Sequence, residues 1–344
     1  MGLVRTRPSR EILSGDSADV YFARAASIME REGLDPIVTM EVFARQDAIL
    51  CGIDEAKNLI GHVLSECDPS ETQVEALNDG DPIAPKEVVL RIRARYRRIG
   101  LYETAILGML AQSTGWATAA RECVEAAAPE PVISFGARHV HPDITDVLDY
   151  AAIVGGCVGA STPAGARLAG LSPTGTMPHS LVLIFGDTVE AAEAFDRDLA
   201  PDVPRIVLVD TFKDEAEEAL RVAHALGDRL YGIRLDTPSE RGRVTADLVK
   251  EVRARLDQEG YRHVRIVVSG GLNPERIGYF REQGAPVDSY AVGSHISGAT
   301  PIDFTGDIKE IDGRPIAKRG RIPGVTDSPR LRPIDLELWR DGSS

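Results

Sequence analysis

The stretch written as IVLVDT (206–211), LYGIRLD (230–236), VRIVVSGG (264–271) and SYAVGSH (289–295) decides the fold. These four apolar runs start 24, 34 and 25 residues apart, with helical patterns between them, which is the spacing of successive strand-helix units. Each is rich in Val, Ile and Leu without polar alternation, as required of parallel strands covered by helices on both faces.

The ends of the runs carry chemistry: Asp210 and Thr211; Arg234 and Asp236; Ser269, Gly270 and Gly271; Gly293 and Ser294. In a parallel α/β barrel the loops after the strands form one rim, where side chains distant in sequence converge. The active site is therefore expected there. Any one of these residues alone is an ordinary cap or turn residue; the four successive ends together point to a site.

Working outward, 344 residues suffice for a barrel with an added domain. The N-terminus lacks the apolar core of a signal peptide and no run approaches a membrane span, so a cytoplasmic protein is expected. The Met-Gly start with Thr6 and Arg7 is only a partial N-myristoylation signal. A net charge of −14 argues against nucleic-acid and membrane partners, while leaving room for an anionic ligand at a local basic cluster. The four cysteines, Cys51, Cys67, Cys123 and Cys157, form no CxxC pair, so neither zinc nor disulfides are expected.

Ahead of the barrel, Asp16 to Gly33 reads as a helix, with Asp19 a possible cap and Tyr21 a core aromatic by spacing alone. Ile37 to Ile60 reads as a strand, a turn at Gly52 and a helix. Val74 to Tyr96 is a second β-rich block with a tight turn at Asp79-Gly80-Asp81-Pro82, and the two blocks suggest a small open β-barrel or sandwich. Alternation puts Arg91, Arg93 and Arg95 on one strand face, either solvated or binding an anion. Tyr102 to Ala128 has the composition of a long helix interrupted at Gly115. VISFGARHVHP supplies Phe135 and Arg138, AAIVGGCVGAST leads to Ser161 and Thr162, and SPTGTMPHS places His179 after a Gly-Pro-rich turn. Gly306 to Gly320 reads as a hairpin turning at Asp312-Gly313, followed by a Pro-rich tail. No GxxxxGK[ST] or GxGxxG loop occurs.

Taken in order, FGAR, GTMPHS, VDTFKDE, GIRLDT, VSGGLN and AVGS resemble the nicotinate phosphoribosyltransferase family in its short archaeal and bacterial form. VTMEVFARQDAILCGIDEA and YETAILGMLAQSTGWATAAR extend the likeness over about residues 10 to 320. The resemblance implies an irregular, TIM-like parallel α/β barrel of the type II phosphoribosyltransferases, with an N-terminal open-faced β-sandwich of α+β type. The boundaries expected are 1–128 for the N-terminal domain and connecting helix, 129–304 for the barrel, and 305–344 for a hairpin and tail packing back on the first domain.

It further implies transfer of phosphoribosyl from 5-phosphoribosyl-1-pyrophosphate to nicotinate, coupled to ATP hydrolysis in the manner of a ligase, in NAD biosynthesis. Mg²⁺ enters with the pyrophosphate and ATP as co-substrate. A homodimer or larger assembly with shared sites is implied. Some short relatives carry a cysteine-rich zinc knuckle, but no cysteine follows Cys157, so no structural zinc is expected. The second aromatic expected near Tyr96 is also missing.

Carried onto this chain, the likeness makes His179 the phosphorylated histidine, with Asp210 orienting it. Arg234 and Asp236 meet phosphate, carboxylate, the cationic sugar or hydrated Mg²⁺. Ser269, Gly270, Gly271, Gly293 and Ser294 hold the 5′-phosphate, where Gly lets backbone N–H groups approach the anion. Phe135 and Tyr21 stack on the pyridine, Tyr21 from a neighbouring subunit; Arg138 meets an anionic group; Ser161 and Thr162 discriminate carboxylate from amide. Two alternatives stand beside this reading. One is quinolinate phosphoribosyltransferase, which shares the architecture, decarboxylates and uses no ATP. The other is a non-catalytic nucleotide-binding regulator.

Overall fold

A computed structural model describes residues 8–341. Met1 to Arg7, where the partial myristoylation signal falls, and Gly342 to Ser344 lie outside the described residues. The chain divides into two compact units: the first comprises 1–118, 167–170 and 299–344, the second 119–166 and 171–298.

In chain order the first unit supplies β1 (Ile37–Ala44), β2 (Ala48–Ile49), β3 (Gln73–Ala76), β4 (Pro82–Ile83) and β5 (Val88–Arg95). The second supplies β6 (Val132–Ser134), β7 (Gly159–Ala160), β8 (Ile206–Leu208), β9 (Gly232–Leu235), β10 (Arg265–Val268) and β11 (Ser289–Val292). The chain then returns to the first with β12 (Phe304–Ile311), β13 (Arg314–Pro315) and β14 (Arg332–Pro333).

The first unit is built on an antiparallel sheet ordered β13-β12-β1-β5-β3-β14. Val38, Met40 and Val42 of β1 and Leu90 and Ile92 of β5 are buried in one core with Leu59 and Ile60 of the helix Ile53–Leu64. The hairpin expected at Asp312-Gly313 is present, and both residues have positive φ, 48° and 73°, as a two-residue turn of that hand requires.

The arginine face of β5 is paired rather than open to an anion. Arg91 meets Glu41 at 2.8 Å and Glu75 at 3.0 Å, Arg93 donates to the Ser70 carbonyl, and Arg95 pairs with Glu71. Gly115 does not interrupt the helix Glu103–Ala127. A Cβ there would stand 2.6 Å from the carbonyl oxygen of Thr300, so the glycine is a close-approach site within an unbroken helix. The helix expected over 16–33 forms at Val20–Arg31, but none of its residues is buried.

The second unit holds a parallel sheet ordered β7-β6-β11-β10-β9-β8. The four quoted runs are β8 to β11, and helices Glu215–Leu226, Ala246–Gln258 and Pro274–Glu282 connect them. Asp214, Thr245 and Asn273 cap these helices through their side chains, and Pro274 begins the last.

The expected barrel is found in part: the sheet is parallel, yet β7 and β8 do not pair directly among the described residues. The irregular segment 174–177 spans the gap. Thr174 N–H donates to the Ala160 carbonyl at 2.8 Å and Met177 N–H to the Ile206 carbonyl at 3.3 Å. Gly175 and Pro178 disfavour a regular strand here. The segment leads straight into the helix His179–Phe185.

Candidate active site

Arg234 is the hub of the strand-end constellation. It is only 9% exposed, and its guanidinium donates to three partners: Ser269 Oγ at 2.8 Å, Thr176 Oγ1 at 2.9 Å and Asp236 Oδ2 at 2.9 Å. Its face lies over Phe135, with Cζ 5.1 Å from the ring centroid. Burial lowers its pKa, and the neighbouring Arg138 acts in the same direction against Asp236 and Asp210.

Asp236 completes the network. Its Oδ1 lies 2.8 Å from the Ser269 hydroxyl, while its own backbone N–H donates to Asp210 Oδ2 at 3.2 Å. The other oxygen of Asp210 lies 3.2 Å from His179 Nε2. Side chains from β9, from the ends of β8 and β10, and from the irregular segment are thus linked into one chain of hydrogen bonds. The sequence reason is local: each strand is three or four residues long, Asp210, Asp236 and Ser269 follow a strand's last residue by one or two positions, and Arg234 is the penultimate residue of β9, so the polar groups gather at one edge.

A cavity of about 500 Å³ opens on this network, lined by Phe135, Arg138, Ser161, Thr176, His179, Arg234 and Asp236 among others. It joins an aromatic wall, two guanidiniums, hydroxyls, an imidazole and a carboxylate. That combination suits a flat anionic ring beside a phosphorylated group. A larger cleft of about 760 Å³ precedes the starts of β8, β9 and β10 and contains none of the predicted site residues. Its arginines are engaged with acids, Arg205 and Arg229 with Asp196 and Arg265 with Asp288.

Not every predicted residue meets the cavity. The Thr162 hydroxyl donates to Asp149 at 2.7 Å, and Asp149 is fully buried, so Ser161 is the member of that pair that lines the cavity. Gly270 and Gly271 have positive φ, 88° and 63°, and form the turn after β10. Gly293 packs on the Phe135 carbonyl, where a Cβ would stand at 3.0 Å, and Ser294 opens the short helix Ser294–Ser297. Tyr21 belongs to the first unit, where it is 58% exposed and its hydroxyl donates to Asp19 at 3.1 Å. Sequence reasoning assigned no individual role to Thr176; its only signal was its place in the GTMPHS segment with His179.

The model of the quinolinate phosphoribosyl transferase N-terminal domain matches residues 19–114, and that of the C-terminal domain matches residues 116–307. The crystal structure of nicotinate-nucleotide pyrophosphorylase from Pyrococcus furiosus is 41% identical, with a TM-score of 0.85 over 93% of this chain and 81% of that one. NadC from Streptococcus pyogenes shares the fold at 19% identity, with a TM-score of 0.63 over 83% of this chain and 95% of that one. A nicotinate phosphoribosyltransferase of Mycobacterium tuberculosis is 33% identical over 72% of this chain and 55% of its own length. The chain therefore spans about half the length of the curated relatives it matches.

These matches correct the family inferred from motif order. The domain models and the solved structure at 41% identity point to the quinolinate enzymes, and the ATP-coupled, ligase-type transfer to nicotinate expected above is withdrawn. The physical reason is that the motifs mark strand ends built to handle a phosphorylated sugar, and that chemistry does not name the acceptor base. Among the described residues no helix is long and apolar enough to cross a membrane.

Proposed function

We infer that this chain, which belongs to the quinolinate phosphoribosyl transferase family, transfers phosphoribosyl from 5-phosphoribosyl-1-pyrophosphate to quinolinate and releases carbon dioxide, pyrophosphate and nicotinate mononucleotide. The observation that carries the reading is the cavity in which Arg138 and Arg234 accompany the Phe135 ring. Two guanidiniums beside an aromatic face match a pyridine bearing two carboxylates.

In the transfer, the bond from ribose C1 to the pyrophosphate oxygen breaks and its electron pair leaves with pyrophosphate. The pyridine nitrogen then supplies the pair for the new C1–N bond. Asp236, on the cavity wall, faces the positive charge developing on the sugar; Arg234 keeps its carboxylate in place, and buried Asp210 accepts its backbone N–H. In the decarboxylation, the bond from ring C2 to its carboxylate breaks and the pair stays on C2, beside the cationic ring nitrogen. A proton then restores C2–H. His179, at the cavity wall and held by Asp210, is the group suited to move it.

Mg²⁺ enters as part of the phosphoribosyl substrate. All four side-chain oxygens of Asp210 and Asp236 accept hydrogen bonds, and no cluster of three His, Cys, Asp or Glu residues suited to a metal occurs among the described residues. The donor set thus gives no direct metal cage.

The test is product formation from phosphoribosyl pyrophosphate and Mg²⁺ with quinolinate, nicotinate or nicotinamide, each with and without ATP. Nicotinate mononucleotide and carbon dioxide from quinolinate without ATP are expected. Turnover of nicotinate with none of quinolinate overturns the reading.

A further inference from the structure

Strands β6 and β7 pair at two positions, Ile133 with Gly159 and Ser134 with Ala160, and then the chains part. The Phe135 N–H turns to the Val292 carbonyl of β11 at 2.8 Å, while the Ala160 carbonyl accepts from Thr174. Phe135 and Ser161, the next residues of the two strands, both line the cavity. The spacing of these two walls is therefore set by something other than the strand ladder.

Asp149, on the helix Thr145–Val154, bridges the two ends. Its Oδ1 accepts from the Ser134 hydroxyl at 3.1 Å. Its Oδ2 accepts from the Thr162 backbone N–H at 3.1 Å and from the Thr162 hydroxyl at 2.7 Å. Each oxygen of one carboxylate thus holds one wall, through the residue before Phe135 and the residue after Ser161. The Thr162 hydroxyl in turn accepts from the Gly165 N–H at 3.1 Å. A Cβ on Gly165 would stand 2.2 Å from Asp149 Cβ, so the helix Pro163–Leu168 is seated directly on the bridging residue.

This carboxyl is fully buried and forms no ion pair among the described residues. Burial disfavours its charged form. Apolar contacts would join the same elements without that cost. What the carboxylate adds is direction, because a satisfied buried network holds its members in one arrangement.

We propose that Asp149 is a positioning residue for the pyridine acid: by fixing Ser134 and Thr162 together it sets the spacing of Phe135 and Ser161, and with it the width of the slot that admits the flat ring. That the ligand is a pyridine acid rests on the proposed function.

Three variants separate positioning from stability. Ser134→Ala cuts the Oδ1 arm and leaves both bonds from Thr162. Asp149→Ala cuts both arms. Asp149→Asn keeps them, because the amide oxygen accepts from Thr162 and the Ser134 hydroxyl turns to accept from the amide NH2. Leu256→Ala serves as a control, a buried residue on the helix Ala246–Gln258, which supplies none of the cavity lining. For each, calorimetry gives the affinity for quinolinate and for nicotinate, kinetics give KM for the acid and for phosphoribosyl pyrophosphate, and urea gives the unfolding midpoint.

Kd and KM for the acid are expected to rise about threefold or more in Ser134→Ala and about tenfold or more in Asp149→Ala, with KM for phosphoribosyl pyrophosphate in place. Asp149→Asn should stay near wild type, and Leu256→Ala should lower the midpoint without changing either KM. Where Asp149→Ala does not fold, Ser134→Ala and Asp149→Asn decide.

Acid affinity and KM equal to wild type in Ser134→Ala, with only the midpoint lowered, overturn the positioning role and leave the transferase reading intact. An equal rise in both KM values, or the same rise in Leu256→Ala, overturns it as well, since general loosening would do as much. Turnover of nicotinate with none of quinolinate removes the transferase reading, and the same split measured with nicotinate still supports the role of Asp149. Binding of neither acid by the wild type overturns the proposal.

Discussion

The Nε2 of His179 lies 3.2 Å from Oδ1 of Asp210, and the carboxylate is fully buried while the imidazole is 41% exposed. The arrangement fixes one side of the ring from below and leaves the rest of it toward the cavity it lines. His179→Gln is expected to lower kcat about 100-fold or more while shifting thermal stability little, because the side chain is exposed. Asp210→Asn should lower kcat as well, because the ring loses the carboxylate that holds it. Equal kcat values for His179→Gln and wild type would remove the imidazole from the mechanism.

Thr162 and Ser161 are neighbours with separable effects. Thr162→Val removes a hydroxyl bonded to buried Asp149 and should cost about 1–3 kcal/mol of stability, read as a lower denaturant midpoint. Ser161→Ala should change KM for the pyridine acid and leave the midpoint in place. The reverse pattern would show Thr162 to be the substrate contact.

Asp149 also gives a pH prediction. Burial raises its pKa against the hydrogen bonds from Thr162 and Ser134, which lower it. Because the folded value lies above the unfolded one, about 3.9, its stabilising contribution is full below that value and is lost as pH rises through the folded pKa. Thr162→Val removes a lowering influence, so the Asp149 carboxyl should titrate higher still, which carboxyl NMR would follow. A downward shift would contradict the assignment.

Two glycines of one helix should respond oppositely. Gly115→Ala drives a Cβ toward the Thr300 carbonyl oxygen at 2.6 Å, and overpacking of about 1–3 kcal/mol exceeds the gain in helix propensity of about 1 kcal/mol. Gly108→Ala, with nothing within 4 Å of the added Cβ, should stabilise by about 0.5–1 kcal/mol. Urea midpoints of the two variants measure the difference.

Arg91→Met should be the most disruptive of the strand-face arginine changes, because it leaves Glu41, 1% exposed, without its guanidinium. A loss of about 3–5 kcal/mol is expected, less whatever Thr326 retains through its own bonds to Glu41. Arg95→Met removes a more exposed, solvent-screened pair with Glu71 and should leave the unfolding midpoint nearly unchanged. Denaturant unfolding distinguishes the two.

The sequence by itself determined the parallel strands, because runs such as IVLVDT and VRIVVSGG have the apolarity that burial on both faces demands. It also determined which residues stand at the strand ends, since strand length and capping are local properties. Only the tertiary structure decided that 174–177 replaces a strand between β7 and β8, because two single backbone hydrogen bonds leave no periodic pattern. It likewise decided that Gly115 is a packing site, that Arg91 is committed to Glu41 and Glu75, and that Thr162 serves Asp149 while Ser161 lines the cavity. The approach of the Arg243 guanidinium to Gly271 was equally hidden. Each depends on a partner distant in sequence or on the lack of one, and such pairing is fixed by how the elements pack.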